Sequence, residues 1–228
     1  MTKMQDNDGA SVMLAGAILA SAGIGSEAKE ADAYAYSAGY PYTKLDPAEV
    51  GRITYENYFK RWCASSVIAG FVEPLKAKAG GQWKEFPIDA MRWRHGGMAG
   101  WGALCGTLTG AGVIIGLVIN DKDVAEEMAN DIAFYYSYTE MPSFIPEKIL
   151  KAEPGDMTIA GTPVCHISVG RWMRIAGEAF LSDARAERCA RVAADIAMET
   201  ACMLNAWADG NYTAKHIPMY KAAANGIT

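Results

Sequence analysis

Histidine is scarce in this chain, three in 228 residues, and no two of its five cysteines lie within ten residues of each other. Without CxxC, CxxCH or zinc-finger spacing, it lacks the local signatures of thioredoxin chemistry, ordinary c-type haem attachment and structural zinc. Cysteine is also too sparse for a disulfide scaffold, and a hydrophobic content of 51% excludes an intrinsically disordered chain. Basic charge is in deficit: 21 Lys and Arg face 26 Asp and Glu, a net charge of −5, so nothing marks a nucleic-acid binder. No GxSxG elbow occurs. Gly97-Met98-Ala99-Gly100-Trp101-Gly102 has neither the strand-turn-helix setting of a dinucleotide loop nor a Walker lysine after it. Cys165 and His166 are adjacent, and neighbours on a helix point about 100° apart, a poor geometry for a nucleophile and its base. Hydrolytic and nucleotide-binding readings are thereby disfavoured, which leaves another soluble enzyme, a redox or metal carrier, or a small membrane-associated protein.

What is present begins with residues 12–25, an apolar small-residue run (VMLAGAILASAGIG), followed by small-x-small steps at Ala31-Asp32-Ala33 and Ala33-Tyr34-Ala35. This is the layout of a secretory signal, although Asp6 and Asp8 accompany Lys3 ahead of it and no Arg pair is present. It predicts a signal or N-terminal segment over 1–35 and a periplasmic or exported protein; an N-terminal arm on a cytoplasmic protein is the alternative. Residues 96–119 carry no charge for 24 positions, long enough for a membrane span. Their eight glycines and the absence of a second span point instead to a helix buried in a bundle, where small residues admit a close neighbour or a flat cofactor. A membrane-associated structural protein built on this run is the alternative to set aside.

The rest of the chain reads as helices. Asp46 and Pro47 make a helix start, and Tyr55, Phe59, Cys63, Val67 and Phe71 recur every four residues to about Val72, where Glu73-Pro74 ends or kinks the pattern. Pro87 opens a short helix to about Arg94, and the Gly-rich helix follows His95. Asp121 or Asp123 caps the next helix, and 139–162 is an ordered loop punctuated by Pro and Gly. Cys165, Val169 and Trp172 share a face after Pro163; Ser182 caps a last long helix that Gly210 stops. With hardly any strand pattern, the expectation is an all-α, single-domain helical bundle. It has a buried Gly-rich central helix and a long ordered loop, a Cys-containing domain over 36–210 and a peripheral tail over 211–228 that includes His216.

Cys202 falls about 140° from Cys189 on the last helix, so the two do not serve one site. Cys63, Cys105, Cys165 and Cys189 each lie on or beside the apolar face of a different helical segment. Facing helices of a bundle can bring such residues together, and four soft thiolates suit an iron–sulfur cluster or zinc; four thiols buried separately are the alternative. Thr162-Pro163-Val164-Cys165-His166 is a CxxCH sequence with Thr for its first Cys, which leaves haem c on Cys165 with His166 as axial ligand open. Met173 is eight residues on, a thioether that more often simply packs, and His95 reads as a polar neighbour rather than a ligand.

Five segments, PYTKLDPAEV (41–50), YFKRWC (58–63), MAGWGALCGTLTGAGVIIGLV (98–118), GTPVCHISVGRWM (161–173) and RAERCARVAADIA (185–197), resemble the split-Soret cytochrome c-like proteins of the C_GCAxxG_C_C redox family in order and spacing. The resemblance implies an all-α, redox-active, usually exported protein with an electron-transfer role. It assigns the family's recurrent thiols to Cys63, Cys105, Cys165 and Cys189, and its CH pair to Cys165-His166. Two positions depart from the family pattern: Met173 stands where a Cys commonly follows the Trp, and Arg61-Trp62 stands where a second Cys or Gly-Cys is common. With one thiol fewer, a four-Cys cluster needs all four that remain. The family's cytochrome member has CxxCH haem sites that this chain lacks, and it suggests a homodimer. The leading expectation is a one-electron carrier with a cluster on the four cysteines. Its rivals are haem c through Cys165 and His166 and a metal-free thiol or disulfide protein; the redox partner stays unnamed.

Overall fold

A computed structural model describes residues 39–153 and 155–224, so the signal-like segment 1–35 lies outside the described residues. Helix α1 (Pro47–Lys78) starts as expected, with the Asp46 side chain accepting the Ala48 amide at 3.0 Å and Pro47 in the first turn. Its break is not at Glu73-Pro74. Pro74 stays inside, buried with Leu75, and core packing outweighs the missing amide hydrogen bond. The chain reverses instead at Trp62, where φ is 62° and ψ −171°. Lys78 Nζ meets Glu49 Oε2 at 3.0 Å across 29 residues, which a straight helix would hold about 44 Å apart. The halves 47–61 and 63–78 thus form an antiparallel hairpin. Gly70 lets them cross closely: a Cβ there would collide with Thr54 Oγ1 and lie 2.9 Å from Val50 O.

Two 3-10 turns follow, Gly81–Glu85 and Ile88–Met91, the second standing where a short α-helix is expected. The Gly-rich run is not one helix either. Positive φ angles at Gly96, Gly97, Met98, Ala99, Gly100 and Gly102 make 96–105 a loop, and α2 covers only Gly106–Val118. Among the described residues no helix is long and apolar enough to cross a membrane. Within α2 the small residues do admit a neighbour: a Cβ at Gly106 would lie 2.7 Å from Cys63 Cβ, and one at Gly110 2.6 Å from Ala64 O.

Asp121 caps α3 (Lys122–Tyr138), accepting the Asp123 amide at 2.9 Å and the Val124 amide at 3.2 Å. The 139–162 loop is closed by a two-residue antiparallel pair, β1 (Glu140–Met141) with β2 (Thr158–Ile159), too short to leave an alternating pattern. After α4 (Cys165–Ala176), Ser182 caps α5 (Asp183–Ala208), which packs on both α1 and α2; a short α6 (Met219–Ala224) completes the helices. Buried charges on α5 anchor the loop. Asp195 accepts the amides of Ser143 and Phe144 and the Ser143 hydroxyl, each at 2.8 Å. Glu187 pairs with Arg191 at 2.9 Å and accepts Tyr55 Oη at 2.6 Å. The tail is likewise fastened: buried Asp131 on α3 accepts Tyr212 Oη and the amides of Lys215 and His216, each at 2.9 Å.

Candidate metal centre

Three of the cysteines sit at the start of a helix or half-helix. Cys63 is the first residue after the Trp62 reversal, Cys105 is the N-cap of α2, and Cys165 opens α4. The dipoles of these helix starts favour negative charge, so a thiolate costs less there than elsewhere in a core. Cys105 and Cys165, 60 residues apart in sequence, are brought side by side by a local β-bridge between Leu104 and Val164. In it the Cys105 amide donates to Pro163 O at 2.9 Å and the Cys165 amide to Ala103 O at 2.8 Å. Cys189 comes from the long helix α5.

Cys63, Cys165 and Cys189 line one cavity of about 220 Å³, together with Tyr58, Trp62 and His166. Cys105 is buried beside it, next to Cys165 and 3.2 Å from Thr107 Oγ1. The neighbouring Cys165 thiol, helped by Thr107 and opposed by burial, lowers the Cys105 thiol to about 6; the proximity of Cys105, together with burial, raises Cys165. Burial, with Cys105 and Cys189 nearby, pushes Cys63 up to about 12. Cys165 thus lies within reach of the other three thiols, while among the described residues no three Cys, His, Asp or Glu close in tightly enough to grip a single metal ion. Cys202 is exposed and stands apart, as helical phase predicts.

The histidines divide. His166 is exposed at the cavity edge, its ring 5.6 Å from that of Phe180 and backed by Gly102, where a Cβ would lie 2.5 Å from Nδ1. His95 also lines the cavity, 5.9 Å from the Trp62 ring. Met173 packs against the core.

Sequence reasoning missed Arg188. Only 4% exposed, it donates to Ser168 Oγ at 2.8 Å and reaches Cys189 Sγ at 4.0 Å, yet its Nε has no hydrogen-bond partner and no carboxylate pairs with it among the described residues. The nearby Tyr136 hydroxyl is also buried without a hydrogen-bond partner among the described residues. A buried cation demands negative charge nearby; Asp195 is close enough to feel Arg188 but does not pair with it, and the contact made is with the Cys189 thiol. The one signal in the sequence is a charged residue directly ahead of Cys189 on a helix face otherwise apolar at Val192 and Ile196.

A family model described as "Putative redox-active protein (C_GCAxxG_C_C)" matches residues 62–203, which include all four thiols and Arg188. The chain belongs to this family. Among its relatives is split-Soret cytochrome c of Desulfovibrio desulfuricans, 31% identical over 171 residues, which amount to 73% of this chain and 61% of that protein. The chain thus spans less than two thirds of the relative's length. A solved structure of split-Soret cytochrome c from the same species, described for a novel iron centre, superposes with a TM-score of 0.72 at 25% identity, covering 82% of this chain and 81% of the other. At Trp62 a bulky side chain holds φ 62° and ψ −171°, a conformation that glycine adopts freely.

Proposed function

We propose that this chain is a one-electron carrier whose Cys63, Cys105, Cys165 and Cys189 hold an iron–sulfur cluster. The observation that carries the reading is a soft thiol set, Cys63, Cys165 and Cys189 lining one cavity with Cys105 buried beside it, next to a buried guanidinium that has no carboxylate partner among the described residues. Thiols spaced around a cavity, rather than closed on a point, suit ligands to different irons of one cluster. Bound there, a cluster would supply reversible one-electron chemistry. The protein's part is to bind, charge-balance and shield: the thiolates ligate, Arg188 and the helix starts offset negative charge, and Tyr58, Trp62 and Val169 wall out water.

A second reading, haem c on Cys165 with His166, draws on the place of both residues at the cavity. At about 220 Å³ the cavity is below the roughly 300–1,000 Å³ of pockets that enclose drug-sized ligands, so a haem would have to lie across the open mouth. An optical spectrum with iron and sulfide analysis of anaerobically purified protein separates the readings. We expect equimolar iron and sulfide and broad visible absorption, lost in alanine variants of each of the four cysteines and kept in Cys202→Ala. Iron-free protein after reconstitution, or a sharp Soret band with a covalent haem stain that vanishes in Cys165→Ala, refutes the cluster. The proposal takes 36–210 as the redox domain and 1–35 as an export signal, which N-terminal sequencing of the periplasmic fraction tests.

A further inference from the structure

Apolar surface is exposed at and next to the cavity: Trp62 and Phe180 line it, and chain neighbours of its lining residues are open as well, Trp93, Met98 and Trp101 around His95, Gly96 and Gly100, and Leu181 after Phe180, Trp101 being 85% and Leu181 86% exposed. His166 bridges from Phe180 to the backbone at Gly102, next to Trp101. Patches of this kind mark interaction sites, and Trp, Phe, Met and Arg are the residues that dominate interface energetics.

Charge says what kind of visitor fits. The chain as a whole carries −5, yet segments 60–62, 89–104 and 166–185, which form and flank this surface, hold seven Lys and Arg against three Asp and Glu. Two of those three acids are paired, Asp89 with Arg61 at 2.6 Å and Asp183 with Lys151 from outside these segments at 3.5 Å, which leaves six of the seven Lys and Arg facing Glu178. Arg94 and Arg185 lie over the Trp93 and Phe180 rings, so positive charge is interleaved with the apolar surface. A two-fold pairing of this face with itself would set basic rim against basic rim.

We propose that this face docks an acidic one-electron carrier protein, its apolar contact seated on Trp101 and Leu181 and its carboxylates on the basic rim. Docking stands on the surface chemistry; that the visitor hands over or collects an electron rests on the redox centre proposed above. The test titrates the metal-loaded full chain with a small acidic ferredoxin by calorimetry and stopped flow, with sedimentation velocity in parallel. We expect a one-to-one complex whose association rate falls about tenfold or more from low to high salt. Affinity should fall about tenfold or more in W101A/L181S and in R92E/R174E, with spectrum and unfolding midpoint unchanged. Absence of a complex, or binding indifferent to both double variants, overturns the proposal. A self-dimer that W101A/L181S dissolves assigns the face to a second copy and overturns it too. Because calorimetry reads binding without electron flow, the two readings fail separately: an intact cofactor spectrum with no complex sinks docking alone, and a tight complex with cluster-free protein sinks the redox centre alone.

Discussion

Trp62 offers a test in which two physical arguments predict opposite signs. Its φ of 62° and ψ of −171° fall in a region essentially reserved for glycine, and holding a side chain there costs about 1–3 kcal/mol. Replacing it by alanine or by glycine removes the same ring contacts, with Tyr58 at 6.3 Å and His95 at 5.9 Å, so the difference between the variants isolates the backbone. Alanine keeps the strain; glycine relieves it but loses about 0.4–1 kcal/mol through its freer unfolded chain. The balance makes W62G more stable than W62A by about 1 kcal/mol. Were residue 62 an ordinary position in a continuous helix, alanine would win by about 1 kcal/mol. Urea unfolding of metal-free protein, compared at constant m, reads the sign directly. Equal midpoints, or a higher midpoint for W62A, would refute the reversal at Trp62 as a strained turn.

Two further expectations concern the centre. Arg188→Gln removes a positive charge 4.0 Å from Cys189 Sγ, a contact on the order of 4 kcal/mol at an effective dielectric of 20. The added electron is then less well offset, so the midpoint potential should fall by at least about 59 mV, tenfold in a one-electron equilibrium, with Arg188→Lys between; an unchanged potential sinks the countercharge role. In metal-free protein Cys105 titrates near 6 against an ordinary value of 9.0. A depressed folded-state value stabilises fully above pH 9, less through the interval, and not at all below 6, whereas Cys63, near 12, withdraws stability only above pH 9. Thiolate absorbance should therefore rise near pH 6 in the wild type and not in Cys105→Ser, and that variant should lose the wild type's gain in urea midpoint from pH 6 to 9.

Helix starts were legible from residues alone because a cap is a local event: Asp46, Asp121 and Ser182 each accept an amide two or three residues on. The exclusion of Cys202 was legible for the same reason, since phase along one helix needs no knowledge of its neighbours. The Trp62 reversal was not, because nothing in YFKRWC marks a bulky residue at positive φ. The 96–105 loop is not legible from the pattern, because an uncharged glycine run fits both a buried helix and a chain of left-handed turns.

Which thiols meet is a different kind of fact. Amino-acid pattern could say that four cysteines lie on apolar faces. It could not say that a β-bridge at Leu104 and Val164 would set Cys105 against Cys165, or that Arg188 would be buried beside Cys189 with no carboxylate to answer it. Periodicity and capping act over a few residues and survive in any fold that keeps the helices. Convergence joins residues from 63 to 189, and long-range packing alone makes that choice.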